Sequence, residues 1–214
     1  MALDEGVVTE VELAFMPYLI EAINNLDIPD VSSSGFSVTD MVLSLDAIAS
    51  ENFQIQMQES NNAIVVSAFN FGGQISGNLY YKTLFSHSSG YFTAEIRPGG
   101  ATIVLSMPMA SQYYQGAQLP ALAIDQLIFS LDASMIDIHL GGSFSADLVN
   151  LFLQIFDDMI IGIVENQIEK KVPGILAETI NSAIYQTKGY LAFSDPGLGM
   201  YFAYTDFAKV TNTQ

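Results

Sequence analysis

The sequence predicts an α+β protein. One elongated domain over 1–214 carries a highly curled antiparallel sheet, a shorter N-terminal helix and a long kinked C-terminal helix laid along that sheet. Three observations predict this. Apolar residues crowd at helical spacing near the start of the chain. They alternate with period two over 35–141. A helical pattern then returns near Ser145 and persists to Ile184. A length of 214 residues suits one such domain.

The first helix opens on Thr9 and Glu12, which fit a capping box. Val11, Phe15, Leu19 and Ile23 follow among other apolar residues, so little of its circumference is polar and most of it should be covered. Pro17 predicts a kink or a displaced start. The helix should stop at Asp27-Ile28-Pro29-Asp30, because a residue before proline avoids the helical region.

Strands are then predicted in turn. Residues 36–47 alternate, with Val42 on one side and Leu43 and Leu45 on the other. Phe53, Ile55 and Met57 alternate with Gln54, Gln56 and Gln58, a strand with one wet face. Residues 64–71 read as covered on both faces, with Gly72-Gly73 as a bend or turn before a strand over 74–83. A polar turn is expected at His87-Ser88-Ser89-Gly90. Strands over 91–97 and 101–107 flank Pro98-Gly99-Gly100, which carries a turn signal. Segments 123–132 and 135–140 complete the sheet. Short turns favour a meander, and a sheet this large must curl.

Asp147 suits the first turn of the second helix. Asn150, Gln154, Asp158, Glu165 and Glu169 form its polar stripe, and Phe152, Phe156, Met159 and Ile163 lie among its apolar residues. Pro173-Gly174 predicts the kink. A helix over 145–184 would reach ~60 Å, against an average of ~11–12 residues. The tail reads as two strands about Asp195-Pro196-Gly197.

Charge and composition bound the function. There are 23 acidic and 6 basic residues, a net charge of −17. That argues against nucleic acid as a partner and against steering to anionic membranes. High net charge also keeps a hydrophobic protein soluble. Half the residues are hydrophobic and 14% are charged, with a mean hydropathy of +0.34. Such a chain has a large core, or apolar surface or cavity that something else covers. With no cysteine, disulfides and thiolate metal sites are excluded. The apolar run Met159 to Val164 is far short of the ~20 residues of a membrane span. The acidic start Met1-Ala2-Leu3-Asp4-Glu5 does not read as a signal peptide. The chain is therefore not exported by that route, or starts after a removed signal.

No catalytic or metal-ligating set emerges, and the chain reads as no enzyme. His139 alternates with Asp137, an arrangement that could orient a base, but no Gly-x-Ser-x-Gly elbow accompanies it. Gly142-Ser143-Phe144-Ser145 reads as a strand-to-helix turn with a cap, and Asp157-Asp158 as a solvated helix face.

Several short segments carry a resemblance. Ile28-Pro29-Asp30-Val31-Ser32 follows the first helix, and Ile75-Ser76-Gly77-Asn78-Leu79 lies in a strand. Asp137-Ile138-His139-Leu140 leads into Leu148-Val149-Asn150-Leu151-Phe152, and Val164-Glu165-Asn166-Gln167-Ile168 lies further along the long helix. In order and spacing these are similar to the N-terminal barrel domain of the bactericidal/permeability-increasing and lipopolysaccharide-binding protein family, part of the tubular lipid-binding superfamily. The resemblance implies a barrel-like sheet wrapped around the long helix. It implies lipid binding or transfer without catalysis, with phospholipid or fatty-acid-like acyl chains as partners, transient membrane contact and no cofactor beyond bound lipid. It also implies a secreted protein, with an intracellular one left open, and either a single barrel or the N-terminal half of a two-barrel protein.

Three departures accompany it. Phe129 and Glu169 occupy the places of a disulfide that usually joins a late strand to the long helix in mammalian members. The first helix is shorter. The basic cluster suited to lipopolysaccharide phosphates is missing, with only Lys82 and Arg97 within the sheet, which argues against that ligand.

The expected site is a cleft between the two helices and the sheet. Its candidate lining is Val11, Phe15, Leu19 and Ile23 on the first helix, and Phe152, Phe156, Met159 and Ile163 on the second. Val42, Ile64, Val66 and Val104 are the strand candidates. Each buried CH₂ contributes ~0.8 kcal/mol, so such a cleft holds an acyl chain without ionic groups. The competing expectation is a surface-active or protein-interaction module of the same fold, with a collapsed core and no stoichiometric lipid.

Overall fold

Two strands far longer than the sequence pattern predicts organise the sheet. The computed structural model describes residues 16–33, 35–82, 87–114, 117–142, 144–187, 190–192 and 199–201. Helix α1 is described over 16–24; Thr9, Glu12, Val11 and Phe15 lie outside the described residues. The strands are β1 (Val31–Ser33), β2 (Phe36–Leu45), β3 (Phe53–Gln58), β4 (Ala63–Lys82), β5 (His87–Tyr114), β6 (Ala117–Leu122), β7 (Gln126–Leu131) and β8 (Ile136–Gly142). All eight join one antiparallel sheet. The long helix follows as α2 (Ala146–Ile155), a π turn (Phe156–Ile160) and α3 (Ile161–Thr187). The short strands β9 (Tyr190–Ala192) and β10 (Gly199–Tyr201) pair with each other, as the predicted tail hairpin requires.

The expected turns at Gly72-Gly73, at His87-Ser88-Ser89-Gly90 and at Pro98-Gly99-Gly100 do not form. β4 runs unbroken for 20 residues and β5 for 28. Their register shifts instead. Phe71 pairs with Ala101 and Gly73 with Ile96, so Gly72 alone faces Arg97, Pro98, Gly99 and Gly100. Just before, Phe69 and Asn70 face Thr102 alone, between the pairs Ala68↔Ile103 and Phe71↔Ala101. Proline lacks a ladder donor and glycine accepts a left-handed φ, so the segment that reads as a turn also suits a bulge. Gly99 has φ +93° and Asn70 φ +53°.

The partner on the other side breaks at the same level. β8 ends its pairing at Ile136↔Ile96, β7 begins at Leu131↔Ala101, and a 3-10 turn at Ala133–Met135 lies between them. The sheet therefore has a corner. On one side β4 and β5 lie between β2 and β8; on the other they lie between β3 and β7. Curling comes from this concerted break and not from successive hairpins. A second bulge sits in β2, where Asp40 takes φ +52° and the pairs Thr39↔Asn78 and Val42↔Ser76 leave one extra residue. It shifts the inward alternation from Phe36 and Val38 to Met41, Leu43 and Leu45.

The long helix packs on the concave side. Ser145 caps it, its Oγ accepting from the Leu148 N–H at 3.4 Å, and Asp147 lies in the first turn. The irregularity falls at the π turn, while α3 continues through Pro173. Its buried stripe is Phe152, Phe156, Ile160, Val164, Ile168, Val172 and Leu176. At 3.6 residues per turn, each step of four drifts by about 40°. From Ile160 to Leu176 the stripe thus winds roughly 160° around the helix, as a sheet that wraps it demands. Upstream, the wider π turn cancels the drift and keeps Phe152, Phe156 and Ile160 in line.

Helix side chains close the sheet edge. The Leu131 N–H donates to Glu165 Oε1 at 2.8 Å, and the Phe129 N–H to Glu169 Oε1 at 3.3 Å. Four helical residues rise about 6 Å and two strand residues about 6.8 Å, so carboxylates at i and i+4 match alternate N–H groups of β7. The two residues that stand where the resemblance places a disulfide are therefore neighbours, joined by a hydrogen bond. Further along, Asn181 accepts from the Leu122 N–H and donates to its carbonyl, both at 2.9 Å. Asn24 of α1 does the same for Leu45, at 2.7 and 3.3 Å.

Candidate functional site

The space between the long helix and the sheet is filled with side chains. Phe152 stacks on Phe36 at 5.9 Å between ring centroids and lies 5.2 Å from Phe92. Phe156 meets Phe92 and Phe152 at 5.9 Å each. Leu19 and Ile23 of α1 are fully buried in the same cluster, of which Val66 is also a member. Ile64, Met159 and Ile163 are partly buried against it. The described helical and inward strand candidates thus come together as packed core.

Val42 and Val104 do not join them. Val42 is 54% exposed and Val104 39%, and each lies between buried neighbours on the opposite face: Met41 and Leu43, and Ile103 and Leu105. Both valines point outward, because side chains alternate along a strand. For Val42 the bulge at Asp40 sets the phase, and the sequence pattern gave no sign of it.

Open space lies beside α1. A groove of about 650 Å³ runs between that helix and the 47–53 segment, within the ~300–1,000 Å³ typical of small-molecule sites. Its apolar lining comes from Met16, Pro17 and Ile20 on the helix and from Ala47, Ile48 and Phe53 beyond β2. The polar lining is Glu21, Asn24, Asn25 and Ser50. None of the described cleft candidates lines it. Met16, Ile20 and Asn24 follow the same i, i+4 spacing as Phe15, Leu19 and Ile23, displaced by one residue. On a helix that is apolar nearly all round, spacing cannot say which stripe meets the sheet. Ala47 and Ile48 sit in a strand connection: the expected alternation reached Ala47, but β2 ends at Leu45, and no periodicity marks Ile48.

The groove is held by specific contacts. Asn24, locked to both backbone groups of Leu45, ties the helix to the end of β2. A 3-10 turn at Ser50–Asn52 precedes Phe53, and Asn52 exchanges hydrogen bonds with Asn70 at the sheet corner, at 3.3 and 3.5 Å.

Among the described residues, Arg97 and Asp137 form an exposed ion pair. Asp137 accepts from Arg97 Nε and Nη2, both at 2.6 Å. That hydrogen bond is the first cause holding its carboxyl below the usual carboxylate range. Asp137 is thus bound to Arg97 and not arranged to orient the exposed His139. Asp132 is also held low, by the Ser134 hydroxyl and then its N–H. Among the described residues, no three His, Asp or Glu side chains gather to hold a metal, and no helix is long and apolar enough to cross a membrane.

No protein-family model matches this chain, and no curated protein matches it. Among solved structures, lipopolysaccharide binding protein aligns with a TM-score of 0.71 at 14% identity, over 98% of this chain and 46% of that one. The chain thus spans about half the length of that protein and has its fold, the one the sequence resemblance named. Takeout 1 of Epiphyas postvittana aligns with a TM-score of 0.42 at 14% identity, over 86% of this chain and 91% of that one.

Proposed function

On the fold it shares with lipopolysaccharide binding protein, we propose that this chain binds a lipid acyl chain and carries it without catalysis, outside the cell. The observation that carries the reading is the groove beside α1: about 650 Å³, open, with Met16, Ile20, Ile48 and Phe53 along its floor and sides. Concave, largely apolar, preformed surface is what a lipid tail requires. At ~0.8 kcal/mol per buried CH₂, burying ten methylenes offsets the cost of immobilising a flexible chain. Amphiphiles with phospholipid- or fatty-acid-like acyl chains are the ligand class.

Native mass spectrometry of the purified protein, followed by organic extraction, tests this. Stoichiometric lipid, or uptake from mixed-lipid vesicles, is the expected result. A clean apo mass with no uptake would overturn it.

A second reading is favoured by one observation. The rings of Phe36, Phe92, Phe152 and Phe156 fill the interior where the sequence placed the cleft. A module with so collapsed a core could act through its surface, on an interface or on another protein. The same spectrum separates the two readings.

A further inference from the structure

We propose that the groove beside α1 selects a single-chain amphiphile whose headgroup carries positive charge, and disfavours anionic lipids. The inference rests on the lipid reading and adds the headgroup.

Size sets the chain. A methylene has roughly the bulk of a water's ~30 Å³ share of liquid, so one hexadecyl tail needs on the order of 500 Å³. The groove, at about 650 Å³, takes one such tail with room for a small head.

Charge sets the head. Glu21 is the one charged side chain among the described lining residues, and it is exposed at the rim. The described lining includes no Lys or Arg. Of the described cations, Arg97 is bound to Asp137, Lys82 ends β4 and Lys170 and Lys171 lie on α3. Asn24 spends its amide on Leu45, which leaves an anionic head only the neutral groups of Asn25 and Ser50.

The helix end adds to this. Glu21, Asn24 and Asn25 occupy the last turn of α1, where the Asn25 N–H closes on the Glu21 carbonyl at 3.0 Å. The negative end of a helix dipole favours cations and repels anions. A net charge of −17 biases approach in the same direction. An ammonium head beside Glu21, with its tail along Ile20, Ile48 and Phe53, satisfies every group on this list.

The test holds the tail constant and varies the head. Hexadecylamine, monohexadecanoyl glycerol and hexadecanoate, each below its micellar concentration, compete at neutral pH and low salt against a fluorescent apolar reporter. The amine should bind roughly fivefold or more tightly than the carboxylate, with the glyceride between, and added salt should narrow the gap. Glu21→Lys should invert the order of amine and carboxylate. Asp157→Lys makes the same change of net charge on the exposed side of the long helix and should leave the order intact. Equal affinities, a preference for hexadecanoate, or inversion by Asp157→Lys as well would overturn the headgroup inference and leave the lipid reading standing. Failure of all three amphiphiles to displace the reporter, with no uptake by native mass spectrometry, would overturn both.

Discussion

Phe152 and Ile20 are both apolar residues on helices, and the fold uses them in opposite ways. Phe152 is 1% exposed and touches Phe36, Phe92 and Phe156. Truncation to alanine opens a cavity inside a ring cluster and should cost about 3–5 kcal/mol, read as a drop in the denaturation midpoint. Ile20 is half-buried at the groove. Ile20→Ser should cost about 1 kcal/mol yet weaken lipid uptake, measured by reporter displacement. If Ile20→Ser leaves uptake unchanged, the groove is not where the tail sits. Arg97 and Asp137 set a pH dependence of definite sign. The folded pKa of Asp137 is depressed, so its contribution is complete above the ordinary carboxylate value of about 4 and is lost as pH falls through the depressed one. The Tm gap between wild type and Asp137→Asn should therefore be largest at neutral pH, small because the pair is exposed, and close on acidification. A gap that widens in acid would contradict the pairing. At this scale the sequence was partly legible. It named residues of the core, but the choice between the Leu19 and Ile20 stripes of α1 depends on where the sheet lies.

The long helix and β7 show how elements recognise each other here. An edge strand exposes unpaired N–H groups, and this one meets two glutamates spaced to receive them. Glu165→Ala leaves the Leu131 N–H without its acceptor and should destabilise by about 1–2 kcal/mol. Glu165→Gln keeps an acceptor oxygen and should stay near wild type by chemical denaturation. If both variants behave alike, the carboxylate is not capping the strand. Glu165 and Glu169 were legible as a polar stripe but not as edge caps, since a stripe reads as solvated until a strand is placed against it. The strands themselves were legible by alternation. Their true lengths were not, because Pro98-Gly99-Gly100 has the composition of a turn, and only pairing to β4, β7 and β8 shows that the chain continues.

For the whole molecule, that corner is the joint on which both halves of the sheet depend. One core cluster spans them, from Phe36 and Phe92 on one side to Ile103 and Phe129 on the other. Gly99→Ala forces a side chain into φ +93° and should cost about 1–2 kcal/mol. Because the core is continuous, thermal unfolding should remain a single transition at lower Tm; two resolved transitions would mean that the halves are independent domains. The curl as such was foreseeable from the size of the sheet, whereas its location was not, because it arises where three strands break register at one level.

The winding stripe of the long helix has a consequence for how this chain can change over time. Substitutions along it alter one contact each. Removing one residue from 157–160 would convert the wide turn to an ordinary one, because the Ile161 N–H already bonds to the Phe156 carbonyl and that bond would become the α-helical one, leaving the downstream faces nearly in place. Val164, Ile168, Val172 and Leu176 would then keep their places in the core, and Glu165 and Glu169 would keep β7. A deletion within Ile161–Thr187 has no wide turn to absorb it and would rotate everything beyond it by about 100°. Drift in residue identity is thus compatible with this architecture, and so is the loss of one residue at the wide turn, while insertions and deletions within α3 are not. Lineages carrying the fold should tolerate a one-residue difference in length at the wide turn and hold the residue count of α3 constant.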